Sequence, residues 1–355
     1  MESKRKACFI CGTPFHVFTS IILKYQLDIE SDIIIYDAFP NTKELQNNLE
    51  KEKIFGSVKV LDKDKEYGLP KPLSLRYIYS LFGYFRIKKI VSKVLPELKD
   101  YSDVFFANAQ VVDVIDRFNY CFLKKYYPNI NLYIIDEGWQ CYDEKFYQLT
   151  RLDYIFRKFV VRANTHVLDM GVYIYNPDLY NMVNRDKKLN ILPIIKPKHQ
   201  VLEKLKSVFS YVVLDDLSQF DMIIFDTVRE EEFTKVGSGK FDQIIKNLVG
   251  DKKVIVKPHP RDKTRYFNYD YFKTDGFPFE ILCLFNNFDD YVFLNNNSSA
   301  VFSPKIVFDQ EPKIIFAYKA VEKYMQDVNG IDRDYFVSCI RKLYRDPSKV
   351  IILDE

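Results

Sequence analysis

The sequence predicts an α/β protein of two doubly wound domains facing a central cleft. Three observations carry this. Apolar runs of four or five residues, closed by polar turns and followed by helical patterns, recur along the chain, as buried parallel strands do. The alternation breaks between Leu189 and Pro197, where Pro193 and Pro197 interrupt it. The length of 355 residues suits about two domains. The expected domains are residues 1–195 and 196–355.

In order, Ala7–Ile10 predicts a first strand, Cys11-Gly12-Thr13-Pro14 a strand-to-helix turn, and Phe15–Gln26 a helix. Ile33–Tyr36 and Val58–Leu61 are strands around a helix over Thr42–Lys53. A long helix is expected over Tyr77–Leu95, with Pro96 at its end. Val104–Ala107 and Leu132–Ile135 are strands, with helices over Val111–Tyr126 and Leu152–Val161. Val172–Tyr175 is a strand or an extended link, and Val201–Phe209 a helix linking the domains. The second half opens on the strand Met222–Phe225, followed by a helix over Lys240–Leu248. Strands at Val254–Val256, Tyr291–Leu294 and Lys313–Ala317 and a helix over Asp332–Tyr344 complete it. No repeat or low-complexity segment is visible.

Composition narrows the function classes. Basic and acidic residues number 52 and 49, so no polyanion-binding surface, and no nucleic-acid partner, is expected. The basic start, Met1–Lys6, leads into an apolar run broken by Gly12 and Pro14, unlike a signal sequence. No apolar run reaches the ~18 residues that a membrane span needs. A cytoplasmic protein is expected; the Tyr-rich, slightly basic chain is also compatible with a peripheral place on the inner face of the plasma membrane, and with a homodimer. Cys8 and Cys11 form a C-x-x-C without a second pair or a His partner, so buried thiols are expected instead of a metal site. Asp62-Lys63-Asp64 and Asp332-Arg333-Asp334 match D-x-D, but in charged loop or helical contexts that suggest no metal.

The chemistry gathers where strands end. Asp136-Glu137-Gly138 follows one strand and Asp226-Thr227 another. Lys257-Pro258-His259-Pro260-Arg261 closes a third, and Asn295-Asn296-Asn297-Ser298-Ser299 a fourth. Pro278-Phe279-Glu280 forms a further turn. Open α/β sheets bind ligands at the carboxyl ends of their strands. An imidazole, a carboxylate and paired hydroxyls meeting there suit a ligand with a phosphate and a sugar diol. The Gly12-Thr13-Pro14 turn at a helix start is either a plain turn or a donor of N–H groups to an anion or hydroxyl.

In the order Asp136-Glu137-Gly138, His259-Pro260, Ser298-Ser299, the chain resembles the bacterial sialyltransferases, most closely glycosyltransferase family 52, which includes lipooligosaccharide and capsule sialyltransferases. These share an acidic D/E-D/E-G motif, an HP motif and a paired Ser/Thr motif. Pro278-Phe279-Glu280 looks like the family's nucleotide-ribose segment, and Cys11–Phe15 is similar to its short N-terminal motif. The resemblance spans nearly the whole chain. It implies a GT-B fold of two Rossmann-like domains, an acceptor-side domain followed by a CMP-binding one. It further implies a CMP-sialic acid donor, a galactose-type acceptor on a surface glycan, inversion at the anomeric carbon, and no metal or other cofactor. It assigns donor binding to Glu137, Gly138, Lys257, Pro260, Glu280, Ser298 and Ser299, and places Gly12, Thr13 and His16 toward the acceptor.

The roles follow from ordinary chemistry. His259 can stabilise or protonate the departing phosphate. Ser298 and Ser299 offer donors to it, or simply cap a helix. Glu280 can accept both ribose hydroxyls, or simply sit in a helix's first turn. A carboxylate must deprotonate the acceptor hydroxyl, worth roughly 10²–10⁴ in rate. Two compete: Asp136, favoured by the motif, and Asp226. Transferases of polyol phosphates from CDP-glycerol also pair an HP turn with a Ser-Ser turn and form the alternative, as does a glycosyltransferase with another nucleotide-sugar donor. A non-catalytic nucleotide-sugar binding protein is a third reading, which donor turnover would exclude.

Overall fold

The structure, a computed structural model, describes residues 5–62, 96–107, 127, 129–143, 171–184, 190–211, 217–227, 233–259, 265, 267–272, 278–296, 298–325 and 332–353. The helices expected over 77–95, 111–126 and 152–161 lie outside them, as do Pro260 and Arg261. The chain divides into two compact units: Met1–Pro177 with Asn184–Val208, and Asp178–Val183 with Phe209–Glu355.

The first unit is a seven-stranded sheet. Its strands are β1 (Lys6–Cys11), β2 (Glu30–Tyr36), β3 (Val58–Leu61), β4 (Asp103–Ala107), β5 (Asn131–Ile135), β6 (Gly171–Ile174) and β7 (Asn190–Pro193). The order is β3-β2-β1-β4-β5-β6-β7, with every neighbouring pair parallel. Strands covered on both faces carry continuous apolar runs, such as Ile33-Ile34-Ile35. Phe9, Phe105 and Tyr133 stack in line across β1, β4 and β5, with centroids 4.6 and 5.0 Å apart. Helices α1 (Pro14–Leu27) and α2 (Thr42–Glu52) cover the early strands; α3 (Pro177–Val183) groups with the second unit from Asp178 onward. The irregular stretch around Pro193 holds β7, an edge strand, where proline is tolerated because no outer neighbour needs its N–H. Helix α4 (His199–Val208) packs on α2, with Lys204 paired to Glu52 at 2.6 Å and Asn48 donating to the Val208 carbonyl at 3.0 Å.

The second unit holds six parallel strands: β8 (Met222–Phe225), β9 (Val254–Lys257), β10 (Asp270–Tyr271), β11 (Val292–Asn295), β12 (Lys313–Phe316) and β13 (Val350–Ile352). Their order is β10-β9-β8-β11-β12-β13. Helix α5 (Lys235–Val249) lays Phe241, Ile245 and Val249 on Met222, Ile224, Val254, Val256 and Leu294. On the opposite face Phe225 and Phe293 meet Phe279, which opens helix α6 (Phe279–Phe285). Helices α7 (Ser303–Phe308), α8 (Tyr318–Val321) and α9 (Arg333–Leu343) complete the unit. Two strand orders that run outward from β1 and from β8 before reversing make both units doubly wound. Among the described residues no helix is long and apolar enough to cross a membrane.

Candidate functional site

In the second unit the chain reverses direction across the sheet between β8 and β11, so the carboxyl ends of these strands flank the place where such a sheet takes a ligand. Register fixes what stands there. Lys257, Phe225, Asn295 and Phe316 are aligned partners across β9, β8, β11 and β12. The next residue of each strand, Pro258, Asp226, Asn296 and Ala317, therefore forms the row just past the sheet. Asp226, His259 and Ser298 are thus brought to one edge.

Asp226 is buried; its backbone N–H donates to the Lys257 carbonyl at 3.0 Å, and its Oδ1 accepts from the Thr227 N–H at 3.0 Å. The Thr227 hydroxyl is fully buried and, among the described residues, has no hydrogen-bond partner. His259 is half-buried. After β11 the Asn295 side chain clamps the Ser-Ser turn: its Oδ1 accepts from the Ser298 N–H at 2.8 Å, and its Nδ2 donates to the Ser298 carbonyl at 3.2 Å. Ser299 then opens a 3-10 turn that runs into α7. Both serines are half-buried, and the Ser298 side chain caps nothing.

Lys257 and Glu280 are both buried. Burial lowers the Lys257 ammonium, and the Glu280 charge opposes this. Burial raises the Glu280 carboxyl; the Ser303 hydroxyl, which donates to its Oε1, and the Lys257 charge pull it back. Glu280 sits not in a free turn but in the first turn of α6.

In the first unit Gly12, Thr13 and His16 serve one another. The Thr13 hydroxyl accepts from the His16 N–H at 3.3 Å, capping α1, while His16 Nδ1 accepts from the Gly12 N–H at 3.1 Å. The pair differs from a capping box in that the His16 ring reaches past the Thr13 N-cap to the N–H of Gly12. Burial pushes the His16 ring down to about 3, so it is neutral and carries its proton on Nε2.

Asp136 follows β5. Its Oδ1 accepts from the Gly138 N–H at 2.8 Å; its Oδ2 accepts from the Tyr142 hydroxyl at 2.7 Å and the Tyr175 N–H at 3.2 Å. Gly138 has φ +107, which a side chain would strain, so the acidic motif is a turn that needs its glycine. Glu137 is half-buried and its N–H points at Cys141 Sγ, 3.3 Å away. The buried Tyr142 hydroxyl is raised well above its ordinary range by burial and by the Asp136 charge, and accepts from the Asn176 N–H.

Thr227, Asn295 and Ser303 are additions the sequence did not reveal; only the Asp-Thr and Asn-x-x-Ser adjacencies hinted at the first two. Five cysteines, Cys8, Cys11, Cys141, Cys283 and Cys339, are buried free thiols. Among the described residues no group of three His, Cys, Asp or Glu could hold a metal ion.

No protein-family model matches the chain, and no curated protein matches it significantly. Solved structures do. The glycotransferase of kitacinnamycin is 8% identical and is matched over 99% of this chain and 87% of its own, with a TM-score of 0.53. The glycosyltransferase SnogD from Streptomyces nogalater is 9% identical over 99% of this chain and 96% of its own, with a TM-score of 0.47. A UDP-glucosyltransferase from Polygonum tinctorium is 8% identical over 89% and 80%, also at 0.47. At such identities the likeness speaks to the fold, and the first of these carries it. Two parallel-sheet, Rossmann-like units of this kind are the GT-B fold found in glycosyltransferases.

Proposed function

We propose that the protein is an inverting glycosyltransferase that moves sialic acid from CMP-sialic acid to a galactose-type acceptor of a surface glycan, lipooligosaccharide or capsule. The observation that carries this reading is the meeting of Asp226, His259 and Ser298-Ser299 at the strand ends beside the β8–β11 reversal, with Lys257 and Glu280 beneath. The GT-B fold and the ordered acidic, HP and Ser-Ser motifs support it.

In this reading the phosphate of the donor lies against His259, Ser298 and Ser299. Glu280 takes the ribose hydroxyls. The acceptor oxygen attacks the anomeric carbon as the bond to phosphate breaks; the electron pair leaves on the phosphate of CMP, where His259 stabilises it. The acceptor proton passes to a carboxylate. Of the two candidates we assign this step to Asp226, because it stands in the strand-end row of the second unit that also leads into His259 and the Ser298-Ser299 turn. Asp136 then shapes the acceptor side together with Gly12, Thr13 and His16. No metal takes part, so turnover should survive EDTA.

The test is nucleotide release from CMP-sialic acid, CDP-glycerol and UDP-glucose, each with and without a galactose-terminated acceptor. Release of CMP that rises with acceptor is expected. Turnover of CDP-glycerol alone would move the protein to polyol-phosphate transfer, and turnover of UDP-glucose alone would end the cytidine assignment.

A further inference from the structure

Two buried ionisable side chains of the second unit lie on the same face of its sheet, and among the described residues no ion pair joins them. Lys257 exposes 8% of its surface and Glu280 6%. Val254 and Val256 belong to the core under α5, so alternation turns Lys257 to the other face of β9, where α6 carries Glu280. Among the described residues the Lys257 Nζ makes a single hydrogen bond, to the Pro258 carbonyl at 3.5 Å, although an ammonium has three protons to place. Among the described residues Glu280 receives a single side-chain donor, the Ser303 hydroxyl. Either charge buried alone would be costly, and each is tolerable only in the field of the other.

We infer that Lys257 is a positioning residue: its buried ammonium holds Glu280 as a carboxylate, an acceptor of hydrogen bonds from a vicinal diol. The diol as ligand rests on the nucleotide-sugar reading; the pairing does not. A neutral carboxylic acid would offer its own proton where the ribose hydroxyls need acceptors. Among the described residues, the groups that act on Glu280 are Lys257 from β9, Cys283 from its own helix, and Ser303 from α7. Lys305, two residues further along α7, is taken up by Asp309 and Glu311. Burial favours the protonated acid and Lys257 opposes it, so removing Lys257 must let Glu280 bind a proton at higher pH.

The experiment is an infrared titration of the carboxylic-acid band of Glu280, assigned by its absence in Glu280→Gln. The expected result is a midpoint higher by about one pH unit or more in Lys257→Met than in the unsubstituted protein, with Lys257→Arg returning it toward the original. CMP affinity measured against pH should fall away at the same displaced midpoint. Equal midpoints with and without Lys257 overturn the inference. An infrared displacement with no CMP binding at any pH upholds the pairing and removes the nucleotide reading, so the two failures are told apart. Should Lys257→Met not fold, lysine ε-carbon NMR of Glu280→Gln gives the reciprocal result: Lys257 loses its proton at lower pH than before, and an unchanged Lys257 midpoint overturns the pairing.

Discussion

The Tyr142 hydroxyl donates to Asp136 Oδ2 at 2.7 Å, inside a turn that Gly138 and Tyr175 close from the backbone. The same oxygen of Tyr142 accepts from the Asn176 N–H, so one side chain ties the loops after β5 and β6. Tyr142→Phe leaves both partners short of a bond and should cost about 1–3 kcal/mol in urea unfolding. Gly138→Ala should cost a comparable ~1–3 kcal/mol, because its φ of +107 is closed to a side chain. Unfolding midpoints that stay unchanged in both variants would mean the turn does not depend on these contacts.

Two glycines of α5 make a matched pair. A Cβ on Gly237 would lie 2.7 Å from the Tyr324 Cβ and 2.8 Å from its carbonyl oxygen, whereas one on Gly239 would meet nothing within 4 Å. Gly239→Ala should stabilise by about 0.5–1 kcal/mol through helix propensity. Gly237→Ala should destabilise, because the helix start must move off the Tyr324 backbone. Thermal melts of both variants check the opposite signs; equal shifts would argue against the close approach.

This contrast also explains what the sequence disclosed. Continuous apolar runs such as Ile33-Ile34-Ile35 and Met222–Phe225 are legible because parallel strands are buried on both faces. Their polar ends are legible because the chain leaves the sheet there, which is how Asp226, His259 and Ser298 stand out. Helix α5 starts five residues earlier than Lys240, because Val236-Gly237-Ser238-Gly239 looks like a loop until the Thr234 cap and Tyr324 packing are seen. β7 is hidden by its proline, Pro193, and β10 by its two-residue length. Partnerships such as Glu280 with Ser303, or the burial that neutralises His16, depend on which elements pack together and leave no local trace.

His16 makes the fold sensitive to acid. Its folded value of about 3 lies below the ordinary 6.5, because burial penalises the charged ring. Between these values the unfolded chain binds a proton that the folded chain does not, so stability from this ring is complete above pH 6.5 and declines as pH falls toward 3. The decline should reach about 2 kcal/mol at pH 5. His16→Asn keeps an acceptor for the Gly12 N–H and has nothing to titrate. Unfolding free energies measured from pH 7.5 to 5 should diverge by about that amount between the two proteins; parallel curves would mean the ring is not held neutral.

His259 and Ser298 should separate kinetically. A group that stabilises the departing phosphate acts in the transition state, so His259→Ala should lower kcat by about 10²-fold or more with a smaller change in donor KM. In the proposed reading Ser298 also grips the ground-state donor, so Ser298→Ala should mainly raise donor KM. Steady-state kinetics with the cognate donor decide it, and the reverse split would exchange the two roles.

The identity of the base is settled by two isosteric substitutions. Asp226 stands in the row just past β8, one residue beyond the Phe225–Lys257 register pair, where its Oδ1 accepts from the Thr227 N–H. Asp136 has donors on both oxygens. If Asp226 takes the acceptor proton, Asp226→Asn should lower kcat about 10²–10⁴-fold while CMP affinity is retained. Asp136→Asn places an amide N–H₂ against the Tyr142 hydroxyl or a backbone N–H. It should therefore lose about 1–3 kcal/mol of stability and, below its melting range, keep most of its kcat. Rates and melting curves measured on the same preparations separate the two effects. A dead but fully stable Asp136→Asn beside an active Asp226→Asn would move the base to the first unit. Two active variants would mean that neither carboxylate deprotonates the acceptor.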